Sequence, residues 1–423
     1  MDVVVSPGAI EGRVPVNASK SAMQRAVAAA LMARGNSIIT NPGVSNDCVA
    51  ALKVAEALGA IVDFSKKKVE IKGQGIHPTK PEINCGESGL GIRMFTPIAA
   101  LSDQEITIVG EGSLKKRPVH FFEKVLPQLG VSCKTTDGKP PLTIKGPLKP
   151  IDITIDGSLS SQFLTGLLMA YGSCAENKTI TVTNLTSKPY IELTLSIMEY
   201  FGISVEHENL QKFHFGSIRP YRARDYMVEG DWSGAAFLLV AGAIGGQVEV
   251  DNLNTLSTQS DKAILDAIEK AGAKVMKGMF AIVVEKNKLN AFDFDATDCP
   301  DLFPPLVALA ANCEGISRII GVDRLKHKES NRGITLQQEF GKMGIKIELN
   351  RNEMLVYGGT GIKAADVHSH YDHRIAMACA IAATNADGPV KIEVAEAVNK
   401  SYPEFWHHWQ KLNGKVKALA VTD

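Results

Sequence analysis

Cationic and hydroxyl residues of this chain gather at the beginnings of stretches that otherwise carry almost no charge. Ser19-Lys20-Ser21 is followed by Arg25, Glu87-Ser88-Gly89 by Arg93, and Asp372-His373 by Arg374. Ser160-Ser161-Gln162, Asp231 with Ser233, and Asp301 open three further apolar stretches. A second set opens amphipathic stretches: Ser45-Asn46-Asp47, Lys115-Lys116-Arg117, Ser187-Lys188-Pro189-Tyr190, Lys326 through Arg332, and Lys400. Helix N-termini offer unpaired N–H groups and a partial positive charge, so beside Lys and Arg they favour phosphate and carboxylate. Ser, Asp and Asn there also serve as ordinary N-caps. Arg25, Arg93 and Arg374 shift the balance, because a buried arginine needs an anionic partner from protein or ligand. The chemistry indicated is capture of a small, multiply anionic substrate. Asp301 and Glu329 are the acid–base candidates; Asp301 is expected to stay ionised because the dipole and free N–H groups of a helix N-terminus favour its anion, and Glu329 within Lys328-Glu329-Ser330-Asn331-Arg332 also reads as a structural ion pair.

The elements that position these residues recur. Six amphipathic stretches close on Gly59, Gly130, Gly202, Gly272, Gly344 and Gly414, about 71 residues apart, and each is followed by short β-type runs. At a fixed phase stand six small apolar helices, beginning near Ala22, Gly91, Ser161, Ser233, Leu302 and Arg374. Helices apolar on every face are buried. The run from Gly234 to Gly246 is too short to span a bilayer. Pro304 and Pro305 fit a first turn, whereas Pro97 is expected to kink or delay its helix. One unit reads buried helix, strand, outer helix, strand, turn, strand. The expectation is an α/β fold of two lobes with three units each, in which equivalent helix N-termini converge on a cleft between the lobes.

Composition bounds the partners. The 46 basic and 46 acidic residues balance, which argues against a nucleic-acid footprint. Seven cysteines lack CxxC spacing and fit thiols in a reducing cytosol. Met1-Asp2 leads directly into Val3-Val4-Val5 with no leader pattern, so a cytoplasmic location away from membranes is expected. No P-loop motif is present. His368, His370 and His373 read as neutral, solvated histidines, and no metal is expected.

Taken in order, these motifs resemble the 5-enolpyruvylshikimate-3-phosphate (EPSP) synthase family of enolpyruvyl transferases from Gly12 to about Pro403. The carrying segments are Ser19-Lys20-Ser21 with Arg25, Gly89 to Arg93, Leu114-Lys115-Lys116-Arg117-Pro118, Asp156-Gly157-Ser158-Leu159-Ser160-Ser161-Gln162-Phe163, Ser187-Lys188-Pro189-Tyr190, Glu229-Gly230-Asp231, Asp301, Arg324 through Arg332, Asp372-His373-Arg374 and Lys400. The resemblance implies transfer of an enolpyruvyl group from phosphoenolpyruvate to shikimate 3-phosphate, with no metal or organic cofactor, by a monomer. It implies lobe one at 19–228 and lobe two at 1–18 with 229–423. Lys20, Ser21, Arg25, Ser160, Ser161, Gln162, Ser187, Tyr190, Asp301, Arg324 and Lys328 would hold shikimate 3-phosphate. Lys20, Gly89, Arg93, Arg117, Gln162, Arg332, Arg374 and Lys400 would hold phosphoenolpyruvate. Asp301 and Glu329, with Lys20 and His373, would be catalytic.

Departures from the family pattern are Asn17-Ala18 before Ser19, Gln24 before Arg25, Glu87-Ser88 before Gly89, Leu90, Gly91 and Met94 beyond it, Asn46, and Asn331. The rivals are the related transferase acting on UDP-N-acetylglucosamine and a non-catalytic anion-binding module. The first typically carries Lys-Asn at Lys20-Ser21 and a reactive Cys within the Glu111–Arg117 loop, which here has none. Retention of Asp301 and Glu329 argues against the second.

Overall fold

The computed structural model describes residues 1–65, 67–158 and 160–419, so Leu159 of the serine-rich run lies outside the described residues. The helices, in chain order, are α1 (Lys20–Met32), α2 (Asn46–Ala57), α3 (Gly89–Ala99), α4 (Phe121–Val125), α5 (Ser161–Cys174) and α6 (Lys188–Tyr200). They continue with α7 (Trp232–Gly245), α8 (Ile264–Ala271), α9 (Phe303–Ala311), α10 (Arg332–Lys342), α11 (His373–Ala382) and α12 (Phe405–Lys411). The odd-numbered helices are the apolar ones and lie in the core; α7 is buried from Trp232 through Ile244. The even-numbered helices are one-sided. α8 buries Ile264, Leu265, Ala267, Ile268 and Ala271 and turns Asp266 and Lys270 to solvent.

Two compact units result, residues 18–228 and residues 1–17 with 229–423. In the first, α1, α3 and α5 share a core; in the second, α7, α9 and α11 do. Among the described residues there are six four-stranded sheets, five of which follow one plan, a parallel pair joined antiparallel to a hairpin. In one of them the spatial order is Glu82–Asn84, Glu105–Val109, Lys139–Lys145, Ser132–Thr136, and α3 makes the crossover of the parallel pair. The strand before each buried helix is absent from the sequence reading. At two to four residues, as in Ile153–Asp156 and Asp293–Asp295, most of these strands are too short to display a period of two.

Two strands are exchanged along the chain. Ile10–Pro15, which precedes α1, pairs in parallel with Gly246–Asp251, which follows α7. Tyr226–Met227, which precedes α7, pairs in parallel with Arg34–Thr40, which follows α1. The N-terminal strand Val3–Ser6 inserts between Val390–Glu393 and Lys415–Ala418, the place other sheets give to the second arm of their hairpin.

Local chemistry explains several details. Gly59, Gly130, Gly202, Gly272 and Gly344 all have positive φ, which terminates the outer helices. At the sixth site Asn413 takes that role with φ +63°, and Gly414 is required for space: a Cβ there would come 2.4 Å from Trp409 Nε1. The helix expected over Phe121–Leu129 is α only to Val125 and tightens into a 3₁₀ turn, because Pro127 supplies no N–H. Pro304 and Pro305 occupy the first turn of α9. Pro97 does not delay α3, which begins at Gly89; it lies near the other end and leaves the Arg93 carbonyl without its helical donor. Gly166 of α5 closes on that spot, where a Cβ would lie 2.5 Å from Met94 O and 2.8 Å from Arg93 O. Gly166→Ala is therefore expected to lower the free energy of unfolding by about 1–3 kcal/mol, the usual cost of overpacking, as read by urea denaturation.

Candidate active site

In the unit formed by 1–17 and 229–423, the site is built around the Arg332 guanidinium, which is 1% exposed. Arg332 opens α10 and spreads its donors over three carboxylates. Nε donates to Asp372 Oδ2 at 2.8 Å, and Nη2 donates to Asp372 Oδ1 at 3.1 Å and to Glu329 Oε2 at 2.6 Å. Nη1 donates to Asp301 Oδ1 at 2.8 Å. Asp301 also receives Lys328 Nζ at 3.1 Å and Arg374 Nη2 at 3.4 Å. Asp372 caps α11 through the Arg374 N–H at 3.0 Å and accepts from Ser330 Oγ at 3.0 Å. Three cations thus face three carboxylates, brought together from the ends of α9, α10 and α11.

Burial alone would raise the Asp301 pKa, but the charges of Arg374, Lys328 and Arg332 outweigh it and hold the carboxyl well below the usual range. The sequence places Asp301 as a helix cap stabilised by the helix dipole. It is instead part of a 3₁₀ turn, Pro300–Leu302, ahead of α9, and its oxygens go to side-chain cations. Lys328 pairs with Asp301, and Arg332 grips Glu329. Burial lowers the Lys328 pKa against the opposing field of Asp301. Arg324 donates to Thr297 O at 2.7 Å, and Lys400 ends a 3₁₀ stretch, Ala395–Lys400, at 5% exposure. His373, expected to be solvated, is buried as the first residue of α11, because the apolar helix it opens lies in the core. His370 is bound to Glu339. Asp261 was not singled out in the sequence. It is fully buried beside Ser233 Oγ, and its carboxyl is held above the usual range by burial and by Asp301.

In the 18–228 unit, Ser19 caps α1 and Lys20 Nζ pairs with Asp47 Oδ2 at 2.9 Å. Arg25 is 1% exposed, and its partners among the described residues are neutral: Thr194 Oγ1 at 2.8 Å, Ser21 O at 2.9 Å, and Thr165 Oγ1 and Tyr190 O at 3.4 Å. Its guanidinium also lies 5.9 Å from the Tyr190 ring centre. Burial pushes its pKa down to about 10, which leaves it cationic at neutral pH. A second group joins α3 and α5. Arg93 Nη1 donates to Gln162 Oε1 at 2.8 Å, and Ser160 accepts the Gln162 N–H at 3.0 Å. Arg117 lies across Gly89, where a Cβ would be 2.6 Å from its Nη1. Its Nε has no acceptor, and no carboxylate pairs with it among the described residues. Ser161 is buried at the start of α5, and Ser187 is buried with φ +54° before α6. The departure at Gln24 is matched by the one at Ser88: Ser88 Oγ donates to Gln24 Oε1 at 2.8 Å while capping α3 at Gly91 N.

The seven cysteines are all thiols, five of them buried. No group of three or more His, Cys, Asp or Glu that could hold a metal ion occurs among the described residues.

Solved structures share this architecture. An EPSP synthase from Acinetobacter baumannii superposes with a TM-score of 0.82 at 24% identity, covering 99% of this chain and 100% of that one. An enolpyruvyl transferase from Streptomyces tendae does so with a TM-score of 0.79 at 16% identity, covering 98% of each. The fold is that of the enolpyruvyl transferases. The family described as EPSP synthase (3-phosphoshikimate 1-carboxyvinyltransferase) matches residues 4–409. Curated relatives named 3-phosphoshikimate 1-carboxyvinyltransferase include one from Clostridium kluyveri, 35% identical over 421 residues, covering 99% of each chain. Another, from Aeropyrum pernix, is 36% identical over 419 residues, covering 99% of this chain and 97% of that one. The chain belongs to the EPSP synthase family.

Removing one member of a buried ion cluster strands the others. Asp372→Ala is expected to cost about 3–5 kcal/mol of stability in urea denaturation, whereas Lys326→Ala, at an exposed pair with Asp323, should cost less than about 1 kcal/mol. Asp301 also sets an acid limit. Its folded pKa is depressed, so its contribution is complete above the unfolded value of about 3.9 and is lost as pH falls through the folded value. Asp301→Asn should flatten the acid limb of stability below about pH 4; an unchanged limb would mean that Asp301 is not held ionised.

Proposed function

We propose that this chain transfers the enolpyruvyl group of phosphoenolpyruvate to the 5-hydroxyl of shikimate 3-phosphate, releasing phosphate, in aromatic amino acid biosynthesis. The observation that carries the reading is the pair of buried arginines, Arg25 and Arg117, that have no carboxylate partner among the described residues. Buried cations left to neutral acceptors suit an anionic substrate. Membership of the EPSP synthase family, and the name carried by the curated relatives, supply the identity of the anions.

In this reading Lys20, Ser21, Arg25, Ser160, Ser161, Gln162, Ser187, Tyr190, Asp301, Arg324 and Lys328 bind shikimate 3-phosphate. Lys20, Gly89, Arg93, Arg117, Gln162, Arg332, Arg374 and Lys400 bind phosphoenolpyruvate. The 5-hydroxyl oxygen adds to C2 of phosphoenolpyruvate, its proton passes to Asp301, and C3 takes a proton from Glu329 to give a tetrahedral intermediate. Lys20 or His373 assists. Elimination then returns the C3 proton and expels phosphate from C2. The depressed pKa of Asp301 keeps it ionised at neutral pH, the protonation state a base must have before it can take the hydroxyl proton. The reading includes a monomer acting in the cytoplasm. No helix among the described residues is long and apolar enough to cross a membrane.

The deciding assay is phosphate release from phosphoenolpyruvate with shikimate 3-phosphate as acceptor. Release with UDP-N-acetylglucosamine instead would move the chain to the sister activity, and release with neither would leave an anion-binding protein. Asp301→Ala and Glu329→Gln are each expected to lower kcat by about 10²–10⁴-fold, the usual worth of a positioned acid or base. Shikimate 3-phosphate affinity should fall far less in Glu329→Gln, and deuterium wash-in at the methylene should collapse. Near wild-type exchange in that variant would leave Glu329 a structural ion-pair member and pass the role to Lys20.

A further inference from the structure

The turn that delivers Asp372, His373 and Arg374 is held in a costly backbone conformation by a carboxylate that the proposed chemistry does not use. His370 and Tyr371 are consecutive non-glycine residues with φ +54° and +58°, where an L side chain crowds its own backbone. Some restraint is local. His370 N donates to His368 Nδ1 at 2.8 Å, Tyr371 N donates to Ser369 Oγ at 3.2 Å, and Ser369 Oγ donates to Val394 O at 2.9 Å. The rest comes from Glu339 in the last turn of α10, which is 1% exposed. Its Oε2 accepts the His368 N–H at 2.9 Å and Lys342 Nζ at 2.8 Å, and its Oε1 lies 2.7 Å from His370 Nε2.

A carboxylate is buried in this way only when its lone pairs are met, and these charge-assisted bonds meet them. Arg332 and Glu339 are seven residues apart and so share one face of α10. The helix therefore grips the 368–374 segment twice, Arg332 at Asp372 and Glu339 at His368 and His370.

Resting on the enolpyruvyl-transfer reading above, we infer that Glu339 is a positioning residue, which holds the 368–371 turn so that Asp372 stays on Arg332 and Arg374 stays on Asp301. The test uses the full chain with Glu339→Ala, Glu339→Gln and His370→Ala, and Lys342→Ala as control. Lys342 bonds the same carboxylate from a side chain that is 47% exposed. Glu339→Ala should lower kcat/KM for phosphoenolpyruvate by about 10²-fold, the scale of a small misplacement of a binding group, with KM for shikimate 3-phosphate changed less than about threefold. Glu339→Gln should recover to within about tenfold of wild type, His370→Ala should lose about tenfold, and Lys342→Ala should stay within about twofold.

A merely structural role would lower kcat through the folded fraction and leave both KM values alone, and that result overturns the inference. Hydrogen exchange of the 366–374 peptide reads the turn without substrate. It should accelerate in Glu339→Ala, and unchanged protection also overturns the inference. If Glu339→Ala does not fold, His370→Ala carries both measurements. If the wild type releases no phosphate from the two substrates, the functional reading fails, and the exchange measurement still decides the role of Glu339.

Discussion

A guanidinium taken out of water fixes much of what surrounds it. The idealised cost of moving such an ion into a protein interior is of order 20 kcal/mol, recovered only by close partners with good geometry. Arg332 meets that demand with four hydrogen bonds to Asp301, Glu329 and Asp372. Each partner stands on a different segment: a 3₁₀ turn ahead of α9, the loop before α10, and the cap of α11. One side chain thereby sets the mutual position of three helix ends, and through Asp301 it also sets the position of Lys328 and Arg374. The same contacts determine protonation. Asp301 is pulled down by three cations against its burial, whereas Asp261 is pushed up by its burial and by the charge of Asp301.

The two units solve the problem of buried positive charge in different ways. The unit carrying Arg332 supplies its own carboxylates. Among the described residues, the 18–228 unit leaves Arg25 to hydroxyls and carbonyls, and leaves the Nε of Arg117 without an acceptor. Lys20 there is paired with a carboxylate, Asp47. The first arrangement holds three helix ends in place, and the second leaves buried cations on neutral acceptors.

Much of this was legible in the sequence, for identifiable reasons. Helices apolar on all faces announced their burial, and the periodic glycines marked the ends of the outer helices because few residues accept positive φ. The short strands ahead of the buried helices were not legible, since three or four residues carry no usable period. Asp301 is legible as a residue at a helix start, but its ionisation comes from side chains up to 73 residues away and not from a helix dipole. Asp47 and Asp372 were visible but ambiguous, because an Asp before a helix reads first as a cap. Asp372 does cap α11 while also gripping Arg332. Thr165 and Thr194 gave no signal at all, since Arg25 reaches them only after 140 and 169 residues of chain have folded back.

The central claim is that the Arg332 cluster keeps Asp301 ionised throughout the neutral range. The most direct measurement is the ¹³C chemical shift of the Asp301 carboxyl, assigned by comparison with Asp301→Asn and followed from neutral to acid pH. The account predicts an ionised carboxylate with no titration midpoint above about pH 4. A midpoint about two units or more above that reference value would contradict it, because a carboxyl titrating near neutrality is not held by three cations.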